Sequence, residues 1–226
     1  MIAAVSVADL GAAGTVRSLL SRPAVGNVPG LRWSDVGVLA PLATTRPPRL
    51  RRAALFAFWD DEHAAEAFTE AHPVGRRFAG GFRATLRPIR AFGAWPGLPP
   101  EVPSGRAVPH DGPVMVVTLG RLRLSQTMRF IRASRPAEKS AVEAEGLLWG
   151  TAAARPPFVA TISAWDNSQS TAAFAYGAQR PQHSNAIAAQ QRKDFHRQSA
   201  FVRFAPIRVE GALDGPNPLS VTTLQV

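Results

Sequence analysis

Two rhythms of apolar residues alternate along the chain. The first is the period of two that marks a half-buried strand: Leu55-Phe56-Ala57-Phe58-Trp59 and Val159-Ala160-Thr161-Ile162-Ser163 alternate in this way, and residues 2–8 and 114–120 are short β-prone runs. The second is helical spacing. Val16, Leu19 and Leu20 set it over 13–21, and Met128 and Ile131 set it over 125–133. Strands opening at Trp33–Leu39 and Leu147–Trp149, helices over 61–71 and 167–177, and final strands over 82–92 and 201–209 complete the series. The order is βαββαβ, and it occurs twice.

Residue-level similarity supports the duplication. At an offset of 112, Val5, Ser6, Val7, Leu10, Thr15, Arg17 and Leu19 lie over Val117, Thr118, Leu119, Leu122, Thr127, Arg129 and Ile131. Trp33 and Arg46-Pro47-Pro48 then find partners in Trp149 and Arg155-Pro156-Pro157, and an offset of 106 superposes Trp59-Asp60 and Phe68 on Trp165-Asp166 and Phe174. Pro88-Ile89-Arg90 matches Pro206-Ile207-Arg208 at an offset of 118. Four blocks in the same order, separated by short insertions, identify an internal repeat.

Each repeat is the split βαβ, or ferredoxin-like, unit of the α+β class. Such a unit covers one face of its sheet with helices and leaves the other bare. Packing the two bare faces together gives one pseudo-twofold α/β barrel within a single chain, helices outside. The sequence thus divides into a first half at 1–95, a proline-rich linker at 96–113, a second half with an extra helix at 114–212, and a loosely held tail at 213–226. Asp60 and Asp166, each closing a Trp-Asp pair, are placed to cap the helices that follow, with Asp61 and Glu62 adding negative charge at the first.

Composition narrows the function classes. With 46% apolar residues and 226 positions the chain can bury a real core. It has no cysteine, which removes disulfides, thiolate metal sites and cysteine nucleophiles, and leaves the redox compartment open. No apolar run approaches a membrane span, and the apolar N-terminus lacks a basic flank and carries Asp9, so a cytoplasmic protein without a span is expected. The net charge of +10 raises the question of nucleic acid. The excess is spread evenly, however: residues 1–112 hold 13 basic and 9 acidic groups, and residues 113–226 hold 13 and 7. Nucleic-acid binders concentrate charge on one stripe or arm, so a basic nucleic-acid-binding protein ranks last.

Catalytic signatures are sparse. The histidines His63, His72, His110, His183 and His196 form no zinc spacing, and no nucleophile elbow, P-loop or dinucleotide fingerprint occurs. The repeat breaks in one place. After its second helix the second half gains about twelve residues, the difference between the offsets 106 and 118. The enlarged segment reads as an extra helix from Pro181 to His196. On that helix His183 shares a face with Ile187, while His196 lies about 220° away. If one histidine is a ligand, it is His183.

The block from Val159 to Phe204 carries a resemblance. Ser163, Trp165 and Asp166 end a strand, Phe174 follows in a helix, His183 stands four before Ile187, and Phe201, Arg203 and Phe204 lie in a closing strand. This pattern resembles the C-terminal signature of the spheroidene monooxygenase family, the carotenoid 2-ketolase-like oxygenases. Leu31-Arg32-Trp33 and Phe58-Trp59-Asp60 resemble its N-terminal blocks more loosely. The resemblance implies a dimeric-α/β-barrel type of fold, a haem b cofactor, and oxidation of a hydrophobic small-molecule substrate with O₂ and electrons from a ferredoxin-like donor.

On that reading His183 is the iron ligand. Ile187, Arg203, Phe204 and Trp165 line the cofactor site, with Arg203 and Arg180 as candidate partners for haem carboxylates. For Trp165 the core reading is preferred, because its repeat mate Trp59 has no matching histidine. The competing reading is a cofactor-free or small-molecule-binding barrel. No nucleic acid and no membrane span are expected, and the assembly is a monomer or a homodimer.

Overall fold

The computed structural model describes residues 1–42, 49–105, 110–176 and 195–212, together with Leu219. The first half runs β1 (Ile2–Asp9), α1 (Gly11–Leu20), β2 (Leu31–Ala40), β3 (Arg49–Trp59), α2 (Glu62–Ala71), α3 (Pro73–Phe78) and β4 (Phe82–Gly93). The second runs β5 (Val114–Leu122), α4 (Thr127–Val142), β6 (Leu147–Arg155), β7 (Phe158–Trp165), α5 (Ser168–Tyr176) and β8 (His196–Glu210). All eight strands pair antiparallel into a closed barrel in the order β1-β3-β2-β6-β7-β5-β8-β4.

The repeat offsets reappear as strand register. Ser6 faces Leu55 and Arg83, and their repeat mates Thr118, Thr161 and Phe201 face one another in the same way. Trp33 pairs with Phe58 as Trp149 pairs with Ala164, each just past a bulge. Ahead of that bulge Gly30 (φ 71°) and Gly146 (φ 81°) adopt a left-handed backbone, and their carbonyls accept from Asp60 N–H (2.8 Å) and Asp166 N–H (2.9 Å).

Alternation sends one set of side chains into the barrel. That interior joins both halves: Val5, Phe56, Phe58 and Leu86 from the first pack with Met115, Phe158, Ile162 and Phe204 from the second. Aromatic rings dominate one end, where Trp33 lies 5.5 Å from Phe58 and 5.8 Å from Phe158. Trp95, just past β4, packs edge-on against Trp33 at 5.3 Å and is 4% exposed. The proline-rich connection therefore starts as a stopper for that end. Leu219, from the segment read as a loose tail, is also buried in this interior cluster.

The two seams differ. The β4–β8 register extends from Arg83/Glu210 to Gly93/Ala200, whereas β2 and β6 pair only at Val38/Ala154, Leu39/Ala153 and Ala40/Ala152 among the described residues. Past that short ladder an ion pair continues the contact. Asp35, 4% exposed, accepts from Arg155 Nε (2.9 Å) and Nη2 (2.8 and 2.9 Å), with Arg22 Nη1 at 3.4 Å.

Several local expectations need correction. The N-cap of α2 is Asp61, whose carboxylate accepts from Ala64 N–H at 2.9 Å, and Asn167 serves α5 by accepting from Ser170 N–H at 2.8 Å. Asp60 instead pairs with Arg32 at 2.6 Å, because its own N–H is held by Gly30 before the helix begins. The extra helix expected over Pro181–His196 lies outside the described residues except at its end, where His196 is not helical but opens β8 and pairs with Leu122. α3 was not expected from the pattern. His72 caps it by accepting from Val74 N–H through Nδ1 (3.1 Å), and its pKa is held below the usual histidine value by burial, then by Arg77 and Arg76.

Candidate functional site

The duplication makes each half a reference for the other, and their outer sheet faces do not match. In the first half Ser6, Ala8, Ala53, Leu55, Ala57 and Trp59 are buried beneath α1, α2 and α3. Leu55, Trp59, Phe68, Val74 and Phe78 seal that face as one apolar cluster. In the second half the equivalent strand positions include Thr118, Val159, Thr161 and Ser163, all half-exposed. Apolar side chains have become hydroxyls at two of the mates: Leu55 corresponds to Thr161 and Ala57 to Ser163.

The register sets these side chains in rows across the outer face. Thr161, Thr118 and Phe201 form one row through β7, β5 and β8; Ser163, Val116 and Arg203 form the next. Phe92 of β4 extends the first row beside Phe201, and the two rings stand 65% and 45% exposed. Arg203 is 7% exposed, on a strand that is paired on both sides. The result is a β surface combining apolar rings, hydroxyls and a buried guanidinium.

The residues singled out from the sequence fall in different places. Phe204 points into the barrel beside Met115, on the opposite side of β8 from Arg203. Trp165 lies on the outer face, with its ring 5.3 Å from Phe174 of α5, as Trp59 lies 5.0 Å from Phe68 of α2. The tryptophan positions are thus structural counterparts. They differ in one bond: Trp165 Nε1–H donates to Ser163 Oγ at 2.9 Å, while Trp59 Nε1, whose neighbour is Ala57, has no hydrogen-bond partner among the described residues. Arg203 and Trp165 therefore share a face, and Phe204 does not join them. His183, Ile187 and Arg180 lie outside the described residues.

The segment bearing His183 leaves from α5 and returns at Phe195, so both of its anchors border this outer face. Its return point is tied down. Phe195 carbonyl accepts from Arg123 N–H at 2.8 Å, and the Arg129 guanidinium lies 4.7 Å from the Phe195 ring centre. His196 follows, with its ring 5.2 Å from Phe130 and laid across Gly120; a Cβ on Gly120 would stand 2.6 Å from the imidazole. Close by is a cavity of about 430 Å³ lined by Arg121, Leu122, Leu124, Pro157, Arg197 and Gln198. Arg121 also lies over the Trp95 ring at 5.2 Å. Two cations and an apolar floor suit an amphipathic anion.

Thr118, Thr161, Ser163 and Phe201 as a polar-aromatic surface did not emerge from motif reading. The signal was available in the repeat alignment, as hydroxyls replacing apolar residues at the offset of 106. Among the described residues no group of three His, Asp or Glu side chains is arranged to hold a metal ion.

Comparisons with known proteins agree with this architecture. No protein-family profile matches the chain. A spheroidene monooxygenase from Rubrivivax gelatinosus is 34% identical over 174 residues, 74% of this chain and 65% of that protein. The chain thus spans slightly less than two thirds of that relative's length. A spheroidene monooxygenase from Rhodobacter capsulatus is 27% identical over 188 residues, covering 80% of this chain and 77% of the relative. In the fold, a crystal structure of an aldoxime dehydratase in complex with butyraldoxime aligns with a TM-score of 0.53 over 91% of this chain and 79% of that one. At 9% identity that likeness concerns the fold alone. The aligned sequence, the duplicated barrel and the signature around Trp165 and Arg203 point the same way: the chain is similar to the spheroidene monooxygenases.

Proposed function

We propose that this protein is a haem-dependent monooxygenase acting on a hydrophobic small molecule, with His183 as the iron ligand and the outer face of β7, β5 and β8 as the wall of the site. The carrying observation is the asymmetry between the halves. One outer face is sealed by helices; its repeat mate stays half-exposed, exchanges apolar residues for hydroxyls, and adjoins the only large insertion in the repeat.

The described residues fit a flat apolar group bearing carboxylates. Val116, Val159 and Phe201 supply apolar surface, and Arg203 supplies a cation on the same face. A haem requires one axial side chain, so the lack of a three-residue ligand cluster among the described residues does not conflict with it. When bound, haem would supply activation of O₂, using electrons from a ferredoxin-like donor. The protein's own part is binding and orientation. Trp165, held by Ser163 and Phe174, stiffens the floor of the face, and the hydroxyls of Thr118 and Thr161 can hydrogen-bond a polar group presented to it.

The test is the absorption spectrum of the chain purified with haem supplied. A Soret band in the native protein and in His196→Ala, lost in His183→Ala, is the expected result. A chain that takes up no haem overturns the reading in favour of a cofactor-free barrel. Loss only in His196→Ala moves the ligand to that residue.

A further inference from the structure

Helix α1 is built inside out. It buries Thr15 (1% exposed) and Ser18 (0%) against the sheet, while Val16 stands 55% and Leu20 84% exposed. Of the three apolar residues that identify the helix in the sequence, only Leu19 packs against the core cluster; Val16 and Leu20 face away from it. Thr15 Oγ1 has no hydrogen-bond partner among the described residues, a cost that turning the apolar side inward would have avoided. A depression of about 600 Å³ along the helix is lined by Ala12, Ala13, Val16, Arg17, Leu20 and Ser21.

The second half repeats the arrangement. Met128, the mate of Val16, is 61% exposed on α4, with Leu124 at 64% in the turn before it. Charge follows the same line. No acidic residue occurs between Asp9 and Asp35 or between Asp111 and Glu138, stretches that carry three and five arginines. The acidic residues Asp60, Asp61, Glu62, Glu66 and Glu70 gather instead at α2. α1 packs over β2 and β3, α4 packs over β6, and β2 neighbours β6 in the barrel. The two helices consequently flank one seam.

We propose that this seam-flanking face docks onto an anionic lipid surface. Val16, Leu20, Leu124 and Met128 enter the boundary between headgroups and acyl chains, and Arg17, Arg123, Arg132 and Arg135 meet the phosphates. A second copy is disfavoured as occupant, because an isologous contact would set the arginines of one patch against those of the other. An acidic protein would answer the arginines alone. A lipid surface answers both them and the exposed apolar tips. This docking is independent of how haem or substrate is held.

The experiment is co-sedimentation of the full chain with vesicles of phosphatidylcholine mixed with phosphatidylglycerol, against phosphatidylcholine alone. Binding to the mixed vesicles only, weakened by salt, is expected. Val16→Asp with Leu20→Asp should weaken it about tenfold or more, and Arg17→Gln with Arg132→Gln should do so without touching the apolar tips. Glu70→Gln on α2 should leave binding unchanged. Circular dichroism and the melting temperature of each variant establish that it is folded; should the aspartate pair fail to fold, the arginine pair decides. Failure to bind, or equal binding to both vesicles, overturns the proposal. So does loss of a concentration-dependent dimer in the aspartate variant without vesicle binding by the native chain, which makes a second copy the occupant.

Discussion

The outer faces of the two half-barrels start from one repeated pattern and reach opposite states. Over the first, Leu55, Ala57 and Trp59 pack beneath Phe68, Val74 and Phe78; over the second, Thr161 and Ser163 leave the surface half-open beside Trp165. The difference separates scaffold from candidate site. The barrel interior needs both halves to be apolar, since neither inner face can be covered without the other. An outer face needs only its own helices, so one half can be released from packing without loss of the barrel.

The seam that joins the halves at β2 and β6 gives the largest expected effect. Arg155→Met leaves Asp35, 4% exposed, with the Val36 N–H at 2.8 Å and, as its one remaining cation, Arg22 at 3.4 Å, and should cost about 3–5 kcal/mol by urea denaturation. A cost near zero would mean that the three-pair ladder alone holds this seam.

Exchanging residues between the halves sharpens the contrast of the faces. Leu55→Thr places a hydroxyl in the sealed cluster and should destabilise by about 1–3 kcal/mol. The reverse change, Thr161→Leu, should alter stability by less than about 1 kcal/mol, because its surroundings are half-exposed. Equal penalties in thermal melts would erase the distinction between the two faces. The smallest effect concerns the paired tryptophans. Ala57→Ser copies Ser163 into the first half and offers Trp59 Nε1–H the acceptor that Trp165 already has. It should stabilise by about 0.5–1.5 kcal/mol, read as a rise in denaturation midpoint with an unchanged slope.

Much of the fold was legible in the chain. The two βαββαβ orders and the barrel followed from the offsets 112, 106 and 118, and in the structure repeat mates occupy equivalent ladder positions. Boundaries were less legible. β3 begins at Arg49 and β8 at His196, well before their alternating cores, because ladder pairing with a neighbour continues a strand after its hydrophobic rhythm has faded. The caps lie one residue beyond the Trp-Asp pairs, at Asp61 and Asn167, for a similar reason. Gly30 and Gly146 claim the N–H groups of Asp60 and Asp166, and that contact is invisible in local sequence.

The candidate site was legible only in part. Its position in the second half, marked by an insertion and by Trp165 and Arg203, came from broken symmetry and resemblance. That Arg203 and Trp165 face outward while Phe204 faces inward depended on which side of each strand meets the other half. Periodicity alone could not orient α1 either. Val16 and Leu20 have the spacing of a core stripe, yet they point outward while Thr15 and Ser18 point in.

By itself, then, the sequence determined the kinds of elements, their order and their duplication, because those rest on spacing between near neighbours. Only the tertiary structure decided which face of each element is buried and which is left available. That choice belongs to contacts between residues as far apart as Asp35 and Arg155, and no local pattern encodes it.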